Sequence, residues 1–302
     1  MEMAFAPAVR TRRWGRVALT GPPGSGRLRT ALTLAGGLAD RFAVIDTQCA
    51  ASEAYAINTD TGDGHQFDVL HLYRCSPDNL HTALATAVGE RYPAIVVSSL
   101  TDFWSGPGGM LAAADQEITR NGGNTHAGWR AVRPAEQRAA EALLHYPGHV
   151  VVTMRSRVEW LPEDGDGGGR TLRRITKVEQ REGIEDDFDT VCELNADTVT
   201  VTKAHGTALA GQIFSPDQGA DLAKALHDWL ADGAPGPDAY ALIDQATDPD
   251  LTTEQARDLL TQCLRTRLSR TPMLHPSTPH PRPTSLHAYL TERAGASPAA
   301  TA

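Results

Sequence analysis

Arg16-Val17-Ala18-Leu19-Thr20-Gly21-Pro22-Pro23-Gly24-Ser25-Gly26-Arg27-Leu28 decides the reading of this chain: an apolar run, a glycine-rich turn, then a helical pattern through Ala35. A buried strand feeding such a turn aims successive backbone N–H groups at phosphate oxygens, at the positive end of the helix that follows. In the complete pattern a lysine comes next and reaches the outer phosphates, and the hydroxyl after it holds magnesium. Arg27 and Leu28 occupy those two positions. A planar guanidinium replaces a compact ammonium poorly, and a leucine side chain cannot bind metal. Gly21, Pro22, Pro23, Gly24, Ser25, Gly26, Arg27 and Leu28 are the expected nucleotide cradle, with ATP as cofactor and no magnesium hydroxyl. An ordinary strand-to-helix turn is the alternative, because a short glycine pattern is a weak signal.

Outward from this stretch, apolar runs at 16–20, 42–46, 68–72, 94–97, 149–153 and 198–202 read as strands. Helical patterns fill 27–39, 77–91, 108–120, 132–146 and 217–231. Strands without a polar face, alternating with helices, predict an α/β fold with a mostly parallel sheet covered on both faces. Ligands of such sheets bind beyond the carboxyl ends of the strands, where the glycine turn also falls.

The 302 residues, 41% hydrophobic, suffice for one large domain and appendages. No run approaches the roughly 20 apolar residues of a membrane span, and no secretory signal follows the N-terminal arginines. Cys49, Cys75, Cys192 and Cys263 are scattered without a CxxC pair, so neither zinc nor disulfides are expected and the chain reads as cytoplasmic. The net charge of −9 argues against a uniformly basic nucleic-acid binder but leaves room for local patches. The expected organisation is a basic arm at 1–13, the main domain at 14–232, a Gly/Pro linker at 233–237, a helical appendage at 238–270, and a disordered tail at 271–302. In the tail six prolines and three histidines interrupt every period.

A second nucleotide-site landmark is an acidic residue ending a buried strand. Ser98 holds that place after Ile95-Val96-Val97; Asp102 lies four residues on, as a distant substitute or as a solvated or capping residue. Asp46 ends another apolar strand with Gln48 after it, and either points into the site or caps its own loop.

Together with these, Phe103-Trp104-Ser105-Gly106-Pro107-Gly108-Gly109-Met110-Leu111, Gly128-Trp129, Val132-Arg133-Pro134, Tyr146-Pro147-Gly148-His149-Val150, Val152-Thr153-Met154-Arg155-Ser156, Gln180-Arg181-Glu182-Gly183-Ile184-Glu185 and Ala208-Leu209-Ala210-Gly211 complete a pattern over roughly 14–231. It resembles the phage and prophage AAA-family ATPases with a RecA-like P-loop core, the Sak-type recombination group. The resemblance implies an oligomer that assists single-strand annealing or strand exchange on single-stranded DNA with ATP. By position, Arg27 replaces the family lysine, Leu28 the magnesium hydroxyl, Ser98 the Walker B aspartate and Gln48 a common glutamate. Lys203 and His205 fall in the segment that presents basic residues to a neighbouring subunit's phosphate. With this machinery altered, the expectation is weak or absent nucleotide binding and negligible hydrolysis. A magnesium-dependent ATPase with Asp46 or Asp102 as replacement ligand is one alternative; a non-catalytic subunit joining active relatives in a mixed ring or filament is another.

For DNA, two glycine-containing segments carry basic residues: Gly106 to Gly128, with Arg120, and Val158 to Val178, with Arg170, Arg173, Arg174 and Lys177. Flexible basic loops can track a phosphate backbone, and Trp129 or Trp160 can stack on bases. Arg10, Arg12, Arg13 and Arg16 around Trp14 form a further basic group, or simply an exposed arm.

Overall fold

β1 (Arg16–Gly21) is buried from end to end because it runs between two parallel neighbours, β5 (His149–Asp164) and β7 (Thr190–Leu194). The computed structural model describes residues 7–164, 170–206, 208–276 and 282–295, and over 161–175 the backbone alone. On the far side of β5 lie β4 (Ala94–Ser98), β2 (Phe42–Asp46) and the edge strand β3 (Asp68–His71), all parallel. Beyond β7 the sheet turns antiparallel through β8 (Val199–Ala204) and β9 (Ile213–Phe214). The order β3-β2-β4-β5-β1-β7-β8-β9 sets one strand between the glycine-turn strand and the strand ending in Ser98, which is the RecA-like P-loop arrangement.

Alternation along the strands divides the core between two faces. Val17, Leu19, Val44, Val96 and Val151 meet α1 (Arg27–Leu38) and α6 (Gly219–Ala231). Ala18, Ile45, Ile95, Val97 and Val150 meet α2 (Pro77–Gly89) and α5 (Thr125–Leu144). The short α3 (Leu100–Ser105) and α4 (Met110–Arg120) follow β4. Most of the expected glycine-rich segment 106–128 is therefore helix, its glycines in the turns that flank α4 except Gly128, which is buried within α5. Over its described residues the second expected loop is strand: β5 runs past the sheet and pairs antiparallel with β6 (Arg170–Val178), Ser156 opposite Val178 and Asp164 opposite Arg170, with the glycine run at 165–169 outside the described residues.

The tail departs most from expectation. α7 (Ala239–Ala246) and α8 (Thr253–Arg265) are the anticipated pair of helices. The chain then forms a two-stranded ribbon, β10 (Pro272–Leu274) with β11 (Pro283–Ser285), and α9 (Leu286–Arg293). Met273, Leu286, Tyr289 and Leu290 close a third core over Leu242, Leu259 and Cys263. The burial of these apolar groups outweighs the broken periodicity, and disorder from 271 does not hold over 272–276 and 282–295; residues 277–281 and 296–302 lie outside the described residues.

The basic arm is corrected in one member. Arg16 is buried and donates to the carbonyls of Leu144, Gly15, Gly148 and Tyr146, so it serves the fold. The arm is pinned to the end of α6 and to the linker: Arg12 N–H donates to Ala234 O, Ala234 N–H to Arg10 O, and Arg13 N–H to Leu230 O. Among the described residues no helix is long and apolar enough to cross a membrane.

Candidate nucleotide site

The turn after β1 has the backbone of a phosphate cradle. Gly24 and Gly26 both sit at φ 80°, in the left-handed region that glycine adopts without strain, and α1 starts at Arg27 directly after the second. A Cβ on Gly21 would meet Ser25 Oγ at 2.5 Å and Leu194 O at 2.6 Å, so the first glycine is required by close approach. Ser25 Oγ is buried without a hydrogen-bond partner, an orphaned polar atom inside the turn. Converging N–H groups at a helix N-terminus, free of a crossing side chain, fit a phosphate.

The side chains around the cradle fit magnesium badly. Leu28 packs against the α1 and α6 core. Arg27 turns its guanidinium down onto the end of β5, donating to Met154 O at 2.8 Å. Burial, followed by the nearby Arg155 cation, lowers its pKa from the ordinary arginine value, with Glu179 and Asp102 acting the other way.

Beside it, the carboxyl ends of β2, β4 and β5 carry a closed polar network. Ser98, 1% exposed, donates to Gln48 Oε1 at 3.2 Å and accepts from Thr153 Oγ1 at 3.3 Å. Asp102 takes Thr47 Oγ1–H at 2.6 Å and an ion pair from Arg155 at 2.8 Å. Arg155 also reaches Glu179 at 3.4 Å. Asp46 resolves to the capping role: it accepts the N–H of Gln48 at 2.7 Å and both the N–H and hydroxyl of Ser52, at 2.8 and 2.5 Å. The three nearby acids are thus committed, Asp102 and Glu179 to Arg155 and Asp46 to its own loop.

A glycine turn framed by this strand order points to one family, and a model of the AAA domain matches residues 15–222. The chain belongs to the AAA domain family. No curated protein matches this AAA domain. Among solved structures it is similar to a KaiC-like protein of the hyperthermophilic archaeon Pyrococcus horikoshii OT3, at 14% identity over 67% of this chain and 84% of that one, with a TM-score of 0.39.

The remaining candidate residues scatter. Lys203 and His205 lie near the amino end of β7, across the sheet from the glycine turn, since β8 runs antiparallel and Lys203 pairs with Val191. Lys203 Nζ donates to the carbonyls of Glu185 and Asp186, each at 3.0 Å, and His205 lies 3.8 Å from Asp189. Arg120 ends α4 in an ion pair with Glu117. Lys177 is exposed on β6 opposite Arg157, and Trp160 is exposed on β5. The side chains of Arg170, Arg173 and Arg174 lie outside the described residues. Trp129 stacks on Trp104 with ring centres 5.9 Å apart. Thr47, Thr153, Arg155 and Glu179 are the site residues that the sequence reading missed. A cation closing an apolar strand, as Arg155 does after Val150-Val151-Val152, is the signal that could have found the network.

Proposed function

We propose that this AAA domain holds nucleotide weakly by its phosphate cradle, without magnesium, and hydrolyses it negligibly. The observation that carries the reading is the commitment of the acids beside the cradle, with Ser98 at the strand end where a carboxylate would stand. A phosphoryl-transfer site works by positioning and charge stabilisation, and removing even one stabilising group typically costs about 100- to 1000-fold in rate. Here the metal hydroxyl is Leu28, the strand-end carboxylate is Ser98, and Asp46 and Asp102 already serve other groups. Bound ATP would supply phosphates to the Gly24 to Leu28 backbone, with Arg27 as the adjacent cation.

The resemblance to the Sak-type group extends this reading to DNA: an oligomer that assists phage-type annealing or strand exchange on single strands. Exposed Trp160 on β5 and exposed Lys177 on β6 support it as a stacking and phosphate surface, while the neighbouring Arg157 is paired with Glu159. The mixed-ring reading fits less well, because Lys203 must first release two carbonyls of its own chain to act in a neighbour.

Equilibrium binding of a fluorescent ATP analogue, with and without magnesium, tests the cradle on the wild type and on Arg27→Ala. Weak binding that magnesium does not change supports the proposal. Magnesium-dependent binding with steady phosphate release, both lost in Arg27→Ala, overturns it in favour of a working ATPase.

A further inference from the structure

The end of the sheet opposite the glycine turn holds a cavity of about 490 Å³, a volume within the roughly 300–1,000 Å³ of small-molecule sites. Most of its wall comes from three segments that are distant in sequence, the arm at Arg12 to Trp14, the end of α6 at His227 to Ala231 and the linker entering α7, with Leu38, Pro147 and His149 completing it. Leu38, Leu230 and Tyr240 contribute apolar surface, and the Trp14 indole, 49% exposed, stands at the rim. Apolar walls with an aromatic plane suit a flat ring.

Its polar side chains are mostly cationic or donors, with Asp238 as the one carboxylate in the lining. The Arg12 guanidinium makes no hydrogen bond or ion pair among the described residues, although its backbone is anchored to Ala234. His149, the first residue of β5, lines the cavity and is 5% exposed. Its Nδ1 accepts the Gly15 N–H at 3.0 Å, which places the ring proton on Nε2, and Nε2–H has no acceptor among the described residues. Burial, then the charges of Arg16 and His227, push the imidazole pKa down to about 4, so at neutral pH it donates without charge. The nearby carboxylates are occupied: Asp238 accepts the N–H groups of Tyr240 and Ala241, and Asp189 pairs with Arg13. An uncommitted arginine, an unpartnered N–H and a half-exposed indole around one cavity are the recognition elements of an aromatic ring carrying an anion.

We propose that this cavity binds a nucleoside monophosphate unit, its base against Trp14 and its phosphate between Arg12 and His149 Nε2, either as a free mononucleotide or as the 5′-terminal nucleotide of a DNA strand. The site is separate from the glycine turn and does not depend on how that turn behaves.

Calorimetric titration of the full chain with thymidine 5′-monophosphate, thymidine, and oligothymidylate with and without a 5′-phosphate tests the assignment. The monophosphate is expected to bind at least tenfold more tightly than thymidine. Arg12→Ala and Trp14→Ala, both on the surface arm, should each weaken it about tenfold or more with an unchanged circular dichroism spectrum, while Arg27→Ala leaves it intact. His149→Gln, which removes the ring donor, should weaken it as well. A phosphorylated oligonucleotide binding more tightly than the mononucleotide identifies a strand end as the source; equal or weaker binding identifies the free nucleotide. No binding of the monophosphate, equal binding of thymidine, or binding that is lost in Arg27→Ala but kept in Arg12→Ala overturns the proposal.

Discussion

Leu28 and Ser98 mark where the chemistry of the cradle stops, and they stop it differently. Leu28, half-buried in the first turn of α1, packs against the core, so exchanging it for a hydroxyl trades packing for a ligand. Ser98 sits in a saturated network, so a carboxylate there gains a metal only if Gln48 and Thr153 give way. Leu28→Thr alone is therefore expected to leave phosphate release at background. The triple variant Arg27→Lys, Leu28→Thr, Ser98→Asp should make nucleotide binding respond to magnesium and raise turnover by about 100-fold or more, checked by a phosphate-release assay. Gly21 tests the cradle's shape in isolation. Gly21→Ala puts a methyl 2.5 Å from Ser25 Oγ and 2.6 Å from Leu194 O, against strand backbone that cannot yield. A loss of about 1–3 kcal/mol in urea unfolding is expected, as for an overpacked core.

Among the elements, α9 best separates what periodicity reveals from what packing decides. It has only eight residues and follows a proline-broken segment, so no apolar period accumulates, yet Leu286, Tyr289 and Leu290 are buried against α7 and α8. Leu290→Ala should cost about 2–5 kcal/mol, read as a shift in the urea midpoint with an unchanged slope. The same contrast explains the rest of the fold. Strands such as Ala94-Ile95-Val96-Val97 were legible because they are buried on both faces and read as continuous apolar runs. The helical pattern of the sequence starts α5 at 132. The true opener is Asn124, whose side chain accepts the Ala127 N–H at 3.0 Å, and Pro134 lies inside the helix. The glycine turn was equally legible, since its conformation is local. The Arg155, Asp102 and Thr47 network was not, because three separate strand ends meet only after the sheet has formed.

At the scale of the whole molecule, the net charge of −9 is unevenly spread. The amino end of the sheet gathers Arg12, Arg13, Arg16, His149 and His227, and three imidazoles in the chain's interior are held neutral by their surroundings. Burial leads for each: His149 is pushed down to about 4, and the pKa values of His81 and His145 are lowered as well. For a base whose folded pKa lies below its unfolded value, the unfolded chain binds the extra proton between the two. Stability from such a group is complete above the unfolded pKa of about 6.5 and is lost as pH falls through the folded one. For His149 the window runs from about 6.5 to about 4, and the full shift is worth on the order of 3 kcal/mol. Acid also relieves the repulsion among the excess carboxylates, which works in the opposite sense for every variant alike. Comparing His149→Gln with the wild type isolates the histidine: its urea midpoint should fall less than that of the wild type between pH 7 and pH 4.5. Parallel slopes for the two proteins would mean that His149 takes up its proton without leaving the folded state, and that the cavity beside it admits water or an anion to balance the charge.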